Sequence, residues 1–231
     1  MYLQITTRCN MTCHHCGFAC DKTGEDMSMD TVNAAIDFME DYGTETVSVG
    51  GGEPTIHPKF KEIIWELVHS KIDHGLSYIW LATNGKYKKM AMWLLRMQEE
   101  EHIAVELSQD IYHDPIDLET VEAFERLGKH DWSGGFRGIR NTTESKEPIM
   151  AGRAITEVFG YDEDDLPDLT EQDCICPGWI IKPNGDVHQC GCDDSPKIGD
   201  VYNGIEVRLS GHDCWRDPEY RDELIEQGMI A

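Results

Sequence analysis

Basic residues are scarce in this chain: 20 lysines and arginines stand against 44 aspartates and glutamates, a formal net charge of -24 over 231 residues. A field of that sign repels polyanions, which disfavours nucleic acid as the main partner and weakly favours a neutral or cationic substrate. Long apolar runs are absent too. None approaches the ~20 residues needed to span a bilayer, and no charged start with an apolar core marks a secretion signal, so no membrane partner is expected and the expected location is the cytoplasm. Neither a P-loop nor a serine triad is present to compete for an active site. What the chain does have is 40% hydrophobic residues, enough to bury the core of one α/β domain, alone or with a small appendage. It also has nine cysteines. Without a secretion signal these read as reduced thiols on metals rather than as disulfides.

Three of them, Cys9, Cys13 and Cys16, form a C-x3-C-x2-C loop. Soft thiolates select zinc, Cu(I) or iron-sulfur clusters, and a [4Fe-4S] cube normally takes four cysteines, so three leave one iron open to an exogenous ligand. A zinc site completed by His14 or His15 meets the same spacing and stays open at this point.

Along the chain, strand and helix signals alternate. Leu3 to Thr7 reads as a strand entering the cysteine loop. Val32, Ala35, Ile36 and Met39 make a helical stripe behind a cap at Ser28 or Asp30, and a strand at Thr46 to Val49 runs into Gly50-Gly51-Gly52-Glu53-Pro54. Phe60, Ile63, Ile64, Leu67 and Val68 give a second stripe, and Ser77 to Ala82 a third strand ending at Thr83-Asn84-Gly85. A helix through Met90, Leu94 and Met97 leads to a fourth strand, Ile103 to Leu107. Asp114-Pro115 then reads as the start of a helix burying Leu118, Val121 and Phe124, and Phe136 to Asn141 as a fifth strand. Such alternation predicts a parallel sheet covered by helices, open or closed as a barrel. Ligands of such sheets sit at the C-terminal ends of the strands, where the cysteine loop, the Gly-Gly-Glu-Pro segment, Asn84 and Ser108-Gln109-Asp110 all fall.

Tyr161 to Asp173 carries seven acidic residues and no base, the signature of a linker. Beyond it lie Cys174, Cys176, Cys190, Cys192 and Cys214. The Asn184-Gly185 pair between short apolar strands predicts a hairpin, which would bring Cys174 and Cys176 to Cys190 and Cys192, enough thiolate for a cluster or a zinc.

The cysteine loop after the first strand and the Gly-Gly-Glu-Pro segment after the second resemble the two diagnostic motifs of the radical S-adenosylmethionine (SAM) superfamily, and the likeness extends through nearly the whole chain. It implies a partial (β/α)6 barrel over 1–160, an acidic linker over 161–173 and a small hairpin extension over 174–231. It implies a [4Fe-4S] cluster on Cys9, Cys13 and Cys16, closed by the amino and carboxylate groups of SAM, with Gly51, Gly52 and Glu53 at the SAM amino group. His15 replaces the aromatic residue usual before the third cysteine and would stack on adenine. Asn84, Ser108 and Asp110, each equally a turn former, are candidates around the SAM ribose and carboxylate. Arg137 or Arg140 would reach the SAM carboxylate or a substrate anion, one only, since alternation puts them on opposite faces.

The spacing of Cys174, Gly185 and Cys190 also resembles the SPASM/Twitch extension of these enzymes, with Gly152-Arg153-Ala154 a common upstream companion. The implied group is one auxiliary [4Fe-4S] cluster on Cys174, Cys176 and Cys190, completed by Cys192 or Cys214. The activity implied is reductive cleavage of SAM to a 5'-deoxyadenosyl radical that takes a hydrogen atom from a small-molecule or peptide substrate, for oxidation, rearrangement or epimerisation. Flavodoxin or ferredoxin would donate the electron. Cys20, four residues past Cys16, is a candidate hydrogen-atom donor to a substrate radical, or a small buried apolar residue. The other class of reading is a non-catalytic iron-sulfur or zinc protein acting as electron carrier or scaffold.

Overall fold

The computed structural model describes residues 1–73, 75–127, 139–140, 150–162, 178–191, 195–207 and 217–229. Strands β1 (Tyr2–Thr6), β2 (Thr46–Gly51), β3 (Tyr78–Thr83), β4 (Ala104–Ser108) and β5 (Ile139–Arg140) are successive parallel neighbours. Helices α1 (Met29–Asp41), α2 (Phe60–Asp73), α3 (Lys88–Glu99) and α4 (Leu118–Leu127) make the crossovers that parallel strands require. The fold is therefore α/β with a mostly parallel sheet.

Local sequence explains most of these elements. In β1 the run Leu3, Gln4, Ile5, Thr6 is buried throughout, as expected of an interior parallel strand covered on both faces. Helix α1 starts where the Ser28 hydroxyl accepts the Thr31 N–H at 3.1 Å, and its Val32, Ala35, Ile36 and Met39 are buried as the stripe demands. The stripes of α2 and α3 are buried likewise, and Phe60, Leu67, Leu81 and Leu94 join one core with Leu3 and Ile5. Burying each such side chain contributes ~1.5–3 kcal/mol.

Helix α4 differs from the sequence reading. It begins not at Asp114-Pro115 but at Leu118, after Asp117 turns its carboxylate to accept the Glu119 N–H at 3.0 Å. The expected Phe124 is buried, with Thr120 and Ala123 beside it and Val121 partly so, while Leu118 at the first turn is 68% exposed.

The last third of the chain adds β6 (Ile180–Ile181), β7 (Asp186–His188), β8 (Lys197–Asp200) and β9 (Gly204–Ile205), with a helical turn α5 (Ala154–Glu157) before them and helix α6 (Pro218–Glu226) after. Across the sheet the order is β5-β4-β3-β2-β1-β6-β7-β8-β9. Strand β6 pairs parallel with β1, Tyr2 opposite Ile180 and Leu3 opposite Ile181, and β6 to β9 are antiparallel to one another. These strands thus share the sheet with residues 2–6. The turn between β6 and β7 spans Lys182 to Gly185, closed by the Gly185 N–H on the Lys182 carbonyl at 2.9 Å, with Gly185 at φ +91. Contacts with α1 hold the region down: the Tyr42 ring packs edge-on against Trp179, and the Tyr202 hydroxyl lies 3.0 Å from Thr31 Oγ1. Of the predicted acidic linker, only Tyr161 and Asp162 lie within the described residues.

Candidate active site at the strand C-termini

The cysteine loop leaves β1 over a polar footing. Arg8 donates to both carboxylate oxygens of Asp26, at 3.0 and 2.6 Å, and Thr6 Oγ1 donates to Asp26 Oδ1 at 2.7 Å. Cys9, Cys13 and Cys16 are free thiols, partly exposed, on this loop. Burial pushes the Cys9 thiol up to about 11 and the Cys13 thiol to about 12, with the other cysteines of the loop adding to both shifts. Cys16 is drawn the other way, to about 6, chiefly because the Cys20 S–H bonds to its sulfur. Three sulfurs that repel one another's charge make a donor set that a cationic metal centre would relieve, releasing protons as it bound.

Three neighbouring strand ends close on the loop. Glu53 is 1% exposed, and both its carboxylate oxygens face donors. Oε1 accepts from the Thr55 N–H at 3.1 Å, the Thr55 hydroxyl at 2.5 Å and the Thr83 hydroxyl at 2.8 Å, while Oε2 accepts the Asn84 N–H at 2.7 Å. Burial raises its pKa against these bonds. Glu53 therefore ties the end of β2 to the end of β3. Asn84 carries that tie to the cysteines: its Nδ2 donates to Asn10 Oδ1 at 2.8 Å and lies 3.9 Å from Cys9 Sγ. Lys86 continues it, bridging the Asn10 carbonyl at 3.1 Å and Asp114 at 2.5 Å.

Gly51 and Gly52 meet a steric requirement of the fold. A Cβ on Gly51 would lie 2.0 Å from the Thr6 carbonyl oxygen, and one on Gly52 2.0 Å from that of Arg8. Close approach to the backbone leaving β1 is what demands glycine here. The Gly52 and Glu53 N–H groups donate to those same carbonyls, each at 2.9 Å.

At the end of β4, Ser108 stands opposite Arg140 of β5. Asp110, its side chain fully buried, accepts from the Tyr112 N–H at 2.9 Å and from His113 Nδ1 at 2.7 Å. The His15 ring lies 4.8 Å from that of Tyr112 and 4.9 Å from that of His113, and its Nε2 is 3.8 Å from Asp110 Oδ2. His15 thus faces the β4 end, and His14 contacts Glu157. Gln109 Oε1 is buried with no hydrogen-bond partner among the described residues. Tyr112, His113 and Lys86 escape a reading by motif: each is an ordinary polar or aromatic residue until the strand ends converge, and Gln109 and Arg153, though placed by the sequence, carry no role there.

Cys20 is 4% exposed, its thiol set against the Phe18 carbonyl at 3.6 Å and bonded to Cys16. That burial matches the placement of a small packing residue beneath the loop. In the second cysteine group, Cys190 is buried and its N–H donates to Ser195 Oγ at 3.0 Å. Cys174, Cys176, Cys192, Cys214 and Arg137 lie outside the described residues, as does the side chain of Arg140.

An α/β sheet with three free thiols on one loop at its strand C-termini is an arrangement suited to a metal centre, and comparison with known families names the class. The chain belongs to the radical SAM superfamily, whose model matches residues 3–146. Among curated relatives it is 26% identical over 128 residues to the probable GTP 3',8-cyclase of Sulfolobus acidocaldarius, covering 55% of this chain and 39% of that one. It is 30% identical over 147 residues to the mycofactocin maturase MftC of Mycobacterium tuberculosis, covering 59% and 35%. The chain spans between about a third and a half of the length of these relatives. Among solved structures, BtrN in complex with AdoMet and 2-DOIA superposes with a TM-score of 0.62 at 14% identity, covering 99% of this chain and 85% of that one, a likeness of fold. Among the described residues no helix is long and apolar enough to cross a membrane.

Proposed function

We propose that this chain is a radical SAM enzyme whose first [4Fe-4S] cluster is held by Cys9, Cys13 and Cys16. The observation that carries the reading is the convergence of three free thiols, the Glu53 tie and Asn84 on one end of a parallel sheet, within a chain of this superfamily. The chemistry such a cluster supplies when bound is one-electron reduction of SAM to methionine and a 5'-deoxyadenosyl radical that takes a hydrogen atom from the substrate. The protein's share is binding, orientation and exclusion of water. Asn84 directs an N–H at Cys9, and Lys86 latches Asn10 to the β3 turn. The N–H groups of Gly52 and Glu53 are spent on β1, so a SAM ammonium here would be met by oxygens. Stacked beside Tyr112, His15 offers an aromatic face for adenine, and the buried Gln109 Oε1 offers an acceptor to its amine or to the ribose. Zinc suits the loop less well, since His14 and His15 are both engaged elsewhere.

The architecture proposed with this function is a partial (β/α)6 barrel carrying a hairpin extension, with an auxiliary [4Fe-4S] cluster on Cys174, Cys176, Cys190 and either Cys192 or Cys214. The substrate is a small molecule or a peptide, a range supported by BtrN bound to 2-DOIA and by the maturase name of MftC. A low-potential carrier such as flavodoxin or ferredoxin would supply the electron.

Anaerobic reconstitution tests the proposal. Protein loaded with iron and sulfide, given SAM and dithionite, should release 5'-deoxyadenosine without substrate, and Cys13→Ala should abolish it. A loaded cluster that yields none defeats the enzyme reading in favour of an electron carrier. Iron near eight per chain supports two clusters; about four, or zinc in the second site, rules the second out.

A further inference from the structure

The cysteine loop is gripped from a distant part of the chain. Arg153 donates its backbone N–H to the Cys16 carbonyl at 3.0 Å, its Nε to the Cys13 carbonyl at 3.0 Å and its Nη2 to the Cys20 carbonyl at 2.7 Å. Gly152, at φ +54, lies so close that a Cβ would sit 2.6 Å from the Gly17 carbonyl oxygen and 2.7 Å from that of Cys16. Further along the same turn, Glu157 contacts His14. Between Cys13 and Cys20 the loop's own backbone bonds are Cys16 N–H to the Cys13 carbonyl at 3.2 Å and Ala19 N–H to the Cys16 carbonyl at 3.1 Å, and Ala19 sits at φ 48, a left-handed conformation that L-residues avoid.

We propose that Arg153 is a positioning residue that locks the cysteine loop in its ligating shape and sets a fixed positive charge against it, keeping the cluster easier to reduce. This rests on the reading that Cys9, Cys13 and Cys16 hold a [4Fe-4S] cluster. The guanidinium holds the carbonyl of one proposed ligand, Cys13, and that of Cys20, while the backbone N–H holds a second ligand, Cys16, so a shift of the guanidinium moves the Cys13 end of the loop directly. The planar fork spans two carbonyls seven positions apart in the loop, which a lysine ammonium, a single point of charge, does not. Electrostatics adds a separate effect. Reduction places one more negative charge on a centre already bearing three thiolates, and a nearby cation favours that state more than the oxidised one. Shape and charge are separable by substitution.

The experiment compares full-length wild type, Arg153→Lys and Arg153→Gln after anaerobic reconstitution, with far-UV circular dichroism of the apo-proteins as a check on folding. Iron retained per chain over time reports the clamp, and an EPR-monitored redox titration reports the charge. Arg153→Lys should keep a midpoint near wild type but lose iron about tenfold faster, the factor expected for one charge-assisted hydrogen bond. Arg153→Gln should lose iron as fast and also move its midpoint to a more negative potential. If Arg153→Gln does not fold, the Arg153→Lys lifetime decides alone. Wild-type iron retention in Arg153→Lys overturns the clamp, and an equal midpoint in Arg153→Gln and wild type overturns the charge effect. A wild type that takes up no cluster under the same conditions overturns the cluster reading itself, which separates that failure from failure of the clamp.

Discussion

Replacing Glu53 by glutamine changes one atom in a residue whose two carboxylate oxygens both accept backbone N–H groups, and the structure allows the cost to be worked out. Oε1 faces the Thr55 N–H and Oε2 faces the Asn84 N–H, so either orientation of the amide points its NH2 at a backbone N–H that cannot turn away. The variant loses at least one hydrogen bond to a charged acceptor, about 1.5–3 kcal/mol, and strands a buried donor at about 1–3 kcal/mol. Relief of burying a charge offsets part of this, the same burial that raises the Glu53 pKa. The net expectation is a destabilisation of about 2–4 kcal/mol. Urea unfolding of the apo-protein, followed by circular dichroism, should move its midpoint down by about 1–2 M at a slope of about 2 kcal/mol/M. Hydrogen exchange should find the Asn84 amide deprotected well beyond that global change, because the β2–β3 tie itself is cut. A midpoint within about 0.2 M of wild type would refute the reasoning: the folded carboxyl would then be a neutral acid, and the amide a fair substitute for it.

Gly52→Ala should cost about 3 kcal/mol or more and reduce iron uptake together, since the added Cβ meets the Arg8 carbonyl at 2.0 Å and must push the cysteine loop off β2; urea midpoints and iron analysis check both halves. Asn84→Asp keeps shape but turns a carboxylate toward Cys9, so iron retention should fall several-fold while apo stability changes little by comparison. Stability should also fall on mild acidification. Burial lowers the pKa of His57, whose ring bonds at both nitrogens to Met27 O and the Lys59 N–H, so the neutral form is the folded one. Its contribution is intact above the ordinary value near 6.5 and is lost as pH drops below it, at up to about 1.4 kcal/mol per unit. Urea midpoints at pH 7.5 and 5.5 should therefore differ, with the gap narrowed in His57→Gln.

Much of the fold was legible because its signals are local. Ser28 capping α1, the stripes of α2 and α3 and the strands entering the cysteine and glycine segments depend on residues within a turn or two of one another. The start of α4 was misjudged because Asp114-Pro115 and Asp117 both carry starting signals, and only packing of Thr120 and Phe124 decides between them. The place of β6 beside β1 is a nonlocal pairing that no periodicity encodes. At the site, the spacing of Cys9, Cys13 and Cys16 sufficed to point to a metal. The reason for Gly51 and Gly52, the Asp110 group with His15, Tyr112 and His113, and the grip of Arg153 all arise from strand ends meeting in space.

The seating of β1 between β2 and β6 has a consequence for the order of events in biosynthesis. Tyr2–Thr6 finds its first partner within fifty residues, but its second, Ile180–Ile181, leaves the ribosome only after most of the chain has been made. Until then the strand that launches the cysteine loop has one bare edge, a template for pairing with other chains. A nascent chain stalled before residue 180 should therefore be prone to self-association, and cluster insertion should succeed best after release, once that edge is sealed.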